Sequence, residues 1–387
     1  MKPYALVVAL LLAASSLSAQ APFQASSEHY KVESHVSQEQ ADLLLKQMES
    51  LLAKYNSFFL FDLSILPAPF SLTVFADKAG FDEFLKDKIP LGRNDFVYLH
   101  YKDPAKRILA AYAGPEDSFQ ALAFQGFIQF LWNYVPTAPA WVRNGFAYYF
   151  WDFSWNSETQ TLVSPQNFSF LESLKAEIAK GALEVQPLLT LDETAKTMSP
   201  SQDYLSWGII HFLLNTDNQS YSRLMGNVLA NIKPSESQDA NSKAILTRFQ
   251  NTRPLNEFSQ DLSTFISSIE DYAGLMEQGV ELFKKKELGL AQVLFTKAKS
   301  LKPQEFFPDY YLGLVAYESK DYEIAESHYA MAENKNGEPA GLLAFARGLN
   351  SFYLKDAEGT KSYLAKAIEQ NNELFGVQSL KVLELVQ

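Results

Sequence analysis

The chain has 387 residues, with 33 Lys and Arg against 45 Asp and Glu, a formal net charge of −12, and no cysteine. The acidic balance opposes binding to a phosphate backbone, so no nucleic-acid partner is expected. The lack of cysteine excludes disulfides, thiol nucleophiles and lipidated thiols.

Lys2, an apolar run over residues 4–14, and the small residues Ser15, Ser16, Ser18 and Ala19 have the three-part layout of a secretory signal. Export is expected, with cleavage after Ala19 or Ala21 and a periplasmic or secreted bacterial location. A retained N-terminal anchor is the other reading, but the run is shorter than the roughly 20 residues that a membrane span needs. No later stretch stays apolar for that length, so no transmembrane segment is expected after cleavage. The expected organisation is a signal over 1–21, one domain over 22–272 and a second over 273–387.

Within 22–272, apolar patterning predicts a strand over 29–34, a helix over 38–56, a strand over 70–75, a short helix over 79–86 and strands over 95–101 and 107–113. Helices then dominate. Residues 118–134, SFQALAFQGFIQFLWNY, have helical apolar spacing, with Glu116 and Asp117 suited to the helix N-terminus and Asp117 or Ser118 to its cap. A proline-containing loop leads to a second helix within 139–153, PAWVRNGFAYYFWDF, and 204–214, YLSWGIIHFLL, reads as a third. The Pro-, Ser- and Asp-rich stretch 233–242 reads as a mobile loop, and 255–272 resumes a helical pattern.

The first two of these helices resemble the paired active-site helices of the peptidase MA-like gluzincins, and 204–214 resembles that family's downstream packing helix. The resemblance implies an α+β zincin-like domain, a small mixed sheet plus helices. In the family, HExxH on one helix is followed by Trp-x-x-Glu-Gly-x-Ala-x-Tyr-Phe on the next. Two His at i and i+4 face one way and bind zinc, the Glu between them takes a proton from the metal-bound water, and the second helix supplies a third ligand.

Aligned on Gly126 and on Trp141 with Gly145, the two His positions hold Phe124 and Ile128, the Glu position holds Gln125, and the third-ligand position holds Asn144. Phe and Ile offer no lone pair, Asn is a poor zinc ligand, and a Gln amide does not accept a proton at working pH. The resemblance therefore implies an inactive peptidase-like domain with no catalytic residue, metal or cofactor. Gln125 and Asn144 would either hydrogen-bond across the helices or face solvent.

The five His, His29, His35, His100, His211 and His328, fall in separate segments with no HxxxH or HxH spacing. His29 with Glu33 and His35 with Glu39 have i,i+4 spacing but occupy strand-like or turn sequence, so no ligand role is expected. His211 reads as a hydrogen-bonded core histidine, with the edge of the cleft as the alternative. No GxSxG, Walker or dinucleotide fingerprint is present.

In the last third, Gly279, Ala291, Phe295 and Ala298 recur as Gly313, Ala325, Tyr329 and Ala332, displaced by 34 residues (279 to 313, 291 to 325). Gly348, Leu364 and Ala367 mark a weaker third unit, with Thr360 in place of its middle alanine. Gly suits the closest helix approach, Ala the crossing, and the aromatic fills the gap. These repeats resemble the tetratricopeptide family, which implies an all-α tetratricopeptide solenoid. Leu374, Val377, Leu380 and Leu385 suit a capping helix.

In that family the first helix of each repeat lines a concave groove, which here would present Met276, Phe283, Lys284, Phe307, Tyr310, Tyr317, Phe345, Phe352 and Tyr353. The rings would hold a protein or peptide partner, or else pack internally. The expected function is an exported non-catalytic binding or scaffold protein, a pseudopeptidase domain coupled to a tetratricopeptide interaction module. The alternative is a hydrolase, a peptidase, with an unrecognised site.

Overall fold

The computed structural model describes residues 21–89, 96–114, 118–165, 168–181, 183–191 and 198–386. The expected signal core (1–20) and the expected N-terminal acids Glu116 and Asp117 lie outside the described residues. The chain forms two compact units, one of Met1–Ser164 with Leu229–Asn241, the other of Pro165–Val228 with Ser242–Gln387.

The first unit holds β1 (Phe23–Ser26), β2 (Tyr30–Ser34), α1 (Gln38–Phe59), β3 (Phe70–Phe75), α2 (Lys78–Leu85), β4 (Val97–Leu99), β5 (Ile108–Tyr112), α3 (Ser118–Tyr134), α4 (Ala140–Trp151), β6 (Ser154–Asn156) and β7 (Thr161–Val163). Five strands make one mixed sheet in the order β1-β2-β3-β5-β4, and β6 pairs with β7. The parallel pairs β2/β3 and β3/β5 each need a crossover, supplied by α1 and by the segment containing α2. The antiparallel pairs β1/β2 and β4/β5 close the two edges.

Period-2 alternation buries Tyr30, Val32 and Ser34 on the face toward α1. Ser37 starts α1 by accepting from the Gln40 N–H, and Leu60 stops it in the left-handed region at φ 53°. Ala41, Met48, Leu51, Leu52 and Tyr55 are buried, and Met48 and Tyr55 meet α3. Tyr55 donates its hydroxyl to the Ala123 carbonyl at 2.6 Å, and a Cβ on Gly126 would sit 2.9 Å from Met48 Cε, so α1 and α3 touch at that glycine. Phe127, Phe130, Phe146 and Phe150 pack around Tyr55 as the unit's aromatic core.

The second unit begins with α5 (Leu171–Lys180), α6 (Gln186–Leu189), α7 (Pro200–Asn215), α8 (Gln219–Asn231), α9 (Gln238–Thr252) and α10 (Leu255–Ser268). It continues with α11 (Tyr272–Lys284), α12 (Leu288–Leu301), α13 (Phe306–Glu318), α14 (Tyr322–Ala332), α15 (Leu342–Tyr353), α16 (Ala357–Gln370) and α17 (Asn372–Glu384). The fold is thus a small mixed sheet with helices near the N-terminus, followed by a long all-helical region.

The expected mobile loop at 233–242 is instead pinned within the first unit. Buried Asn241 accepts from the Lys233 N–H at 2.9 Å and donates to the carbonyls of Lys233 and Thr137 at 3.1 and 3.2 Å. One amide thereby replaces the backbone partners that the turn lacks.

Three hairpins, α11/α12, α13/α14 and α15/α16, share one contact. A Cβ on Gly279, Gly313 or Gly348 would lie 2.6, 2.3 or 2.5 Å from Phe295, Tyr329 or Leu364. Each hairpin turn also places a lysine, Lys286, Lys320 or Lys355, at φ 62°, 65° or 63°. Asp309, fully buried near the start of α13, is held by Lys299 at 2.7 Å and by Lys335, with His328 3.7 Å away. His211 lies on α7, stacked on Trp207 and packed against Phe168, with Asn215 at 3.4 Å from Nδ1.

Candidate functional site

On α3, the buried face carries Ala123, Phe127, Phe130 and Leu131, and it leaves Phe124, Gln125, Ile128 and Trp132 half-buried on the other side. Arg143, Asn144, Tyr148, Tyr149 and Trp151 are the half-buried residues of α4. Phe124 packs edge-on against Tyr148, with ring centroids 4.8 Å apart.

Gln125 and Ile128 line a cavity of about 290 Å³ together with Tyr98, His100, Trp132 and Arg143. The His100 and Trp132 rings stand 4.1 Å apart. Asn133 fixes one wall, accepting from Arg107 at 2.6 Å and donating to the Tyr98 hydroxyl at 3.2 Å. Burial pushes the Tyr98 phenol up to about 12, so it is protonated at neutral pH. Asn144 accepts from Arg143 Nε at 3.3 Å, and no hydrogen bond joins it to Gln125 among those of the described residues.

These side chains do not fit zinc. A ring, two amides and an alkyl chain stand at the aligned positions, a set with no good zinc donor. Among the described residues, no group of three or more His, Cys, Asp or Glu is placed to hold a metal ion. His29 pairs with Glu49 at 3.2 Å, and His35 stacks on Phe75.

The nine expected groove residues separate. Met276, Lys284 and Phe307 come together with Tyr272 and Tyr311 around a cavity of about 500 Å³, where Glu281 holds Lys284 at 2.8 Å. Phe352 and Tyr353 line a different cavity, about 450 Å³, with Leu385 and Val386. Tyr317 and Tyr353 cluster with Tyr322 at 5.7 and 5.0 Å. Tyr310 is buried against Phe306, Phe283 packs on Tyr311, and Phe345 stacks on Phe375 of α17.

Sequence reasoning missed Arg143, His100 and Trp132 at the first cavity and Tyr311 at the second. It also missed a cavity of about 970 Å³ where Ile178 and Val185 face Ser259 and Gln260 of α10. Arg143 neighbours Asn144 in the sequence, but an arginine carries no metal-ligand signature. Nothing in the patterning of 178–190 signalled a cavity. Among the described residues, no helix is long and apolar enough to cross a membrane. Compared with known proteins, the chain matches no family model and no curated protein sequence.

Proposed function

We propose that this is an exported, non-catalytic binding protein, a degenerate peptidase MA-like domain joined to a tetratricopeptide array that holds a protein or peptide. One observation carries the reading: Phe124, Gln125, Ile128 and Asn144 occupy half-buried positions on α3 and α4 with side chains that neither bind zinc nor act as a base. The buried Gly126 and Gly145 and the aromatic core around Tyr55 support persistence of the scaffold without its chemistry.

The cavity between α11 and α13 supports the binding role. Apolar Met276, Val280 and Phe307 sit beside Glu277, Glu281 and Lys284, a mix that suits a peptide with an apolar anchor and charged flanks. The test is a fluorogenic peptide library with the chain purified in zinc, with binding of the same library read by anisotropy. The expected result is no turnover, together with binding that Phe307→Ala weakens. Turnover that Gln125→Ala abolishes would overturn the reading.

A further inference from the structure

The apolar spacing that suits a capping helix lies on the outer side of α17. Phe375, Gly376 and Ser379 are the buried residues of this helix, and Phe375 stacks on Phe345 of α15. At about 100° per residue, the opposite side carries Leu374, Val377 and Leu380, which are 62%, 68% and 55% exposed. A capping helix turns a polar face outward. Bulky aliphatic side chains at successive turns of one exposed face instead mark an interaction surface.

We propose that this face pairs with the same face of a second copy of the chain, the two α17 helices running antiparallel about a two-fold axis at Val377. The binding role proposed for the α11/α13 cavity is independent of this pairing.

The order of side chains along the helix selects the occupant. Such a two-fold pairing needs a surface that complements its own reverse. Read outward from Val377, the exposed positions are Leu374 and then Glu373 in one direction, Leu380 and then Lys381 in the other. An antiparallel copy centred on Val377 therefore sets Leu374 level with Leu380 of the partner subunit, and Glu373 level with Lys381 of the partner subunit. The axis repeats both matches, so the aliphatic side chains meet between two pairs of opposite charge.

Other arrangements lose this match. A parallel pair would set each Glu373 level with its own counterpart, and each Lys381 likewise. An antiparallel pair centred between Gln378 and Ser379 would set Glu373 level with Glu384 of the partner subunit, like against like. One helix face is smaller than the roughly 800 Å² per partner of a standard interface, so the dimer is weak and forms with rising concentration.

Sedimentation velocity of the full chain over about 1–300 µM, the range of weak complexes, tests this. The expected result is a shift from monomer to dimer with no larger species, because a two-fold contact closes on itself. Val377→Asp, which sets two like charges on the axis, should weaken association about tenfold or more. Glu373→Lys or Lys381→Glu alone should weaken it about threefold, and the two exchanges together should restore it. All three positions are exposed, which spares the fold. A chain that stays monomeric throughout, leaving the face to a different partner, would overturn the proposal. So would open-ended assembly, a dimer indifferent to Val377→Asp, or a double exchange no tighter than the single ones.

Discussion

His211 makes a quantitative test of the second unit's core. The side chain is 5% exposed, and burial pushes its pKa down to about 4 from an ordinary 6.5. The unfolded chain therefore binds a proton near pH 6.5 that the folded chain refuses until about pH 4. Between those values the unfolded state holds more protons, so stability rises with pH and falls on acidification. Linkage makes the loss about 2 kcal/mol at pH 5 and about 3 kcal/mol once both states are protonated.

The perturbation is His211→Gln, which keeps a polar side chain at the position and removes the titration. Urea midpoints at pH 7.5 and pH 5.0, for wild type and variant, isolate the contribution as a difference, because the other four histidines are common to both chains. The wild type should lose about 2 kcal/mol more than the variant on going to pH 5. Equal losses, or an NMR titration of His211 centred near 6.5, would refute the buried, neutral assignment.

Asp309→Asn should destabilise by about 2–4 kcal/mol by stranding Lys299 and Lys335, read by thermal melting. Burial raises this carboxyl, but hydrogen bonds from the two lysines outweigh it and hold its pKa below the ordinary value. Its contribution is therefore present above about pH 4 and fades below that. Gly313→Ala should cost about 1–3 kcal/mol, because the new Cβ would meet the Tyr329 ring at 2.3 Å. Gly289→Ala, in α12 with nothing within 4 Å, should instead stabilise by about 0.5–1 kcal/mol in the same urea assay. Lys320→Gly, relieving a left-handed lysine, should raise stability by about 0.5 kcal/mol.

Strong periodicity made much of the fold legible. The strand pattern over 70–75 coincides with β3, and the helical spacing over 118–134 coincides with α3. The 34-residue displacement likewise marked the repeating positions, but not that each aromatic packs on the glycine of its own hairpin, Phe295 on Gly279 and Tyr329 on Gly313. β1 escaped notice because four residues carry too little alternation, and its pairing with β2 is a tertiary event. Lys286, Lys320 and Lys355 gave no turn signal because a lysine at positive φ lacks the glycine that usually marks such a turn. The 233–242 stretch looked mobile because composition does not reveal that Asn241 will fold back on Lys233 and Thr137.

At the candidate site, helical spacing placed Gln125 and Ile128 on one face, but what surrounds them required the fold. β4 brings Tyr98 and His100 from about 30 positions earlier, a proximity that spacing along α3 does not encode. The groove reading likewise found Met276 and Phe307 but not the phase of α13, which turns Tyr311 to the cavity and Tyr310 into the core.

The proposed function has this site bind a partner without a metal. Elemental analysis of the purified chain, dialysed first against zinc and then against metal-free buffer, addresses it most directly. The account predicts no retained zinc, because Phe124 and Ile128 present no donor and Asn144 is a poor ligand. One tightly held zinc per chain, lost on replacing Gln125 and Asn144 by alanine, would contradict it.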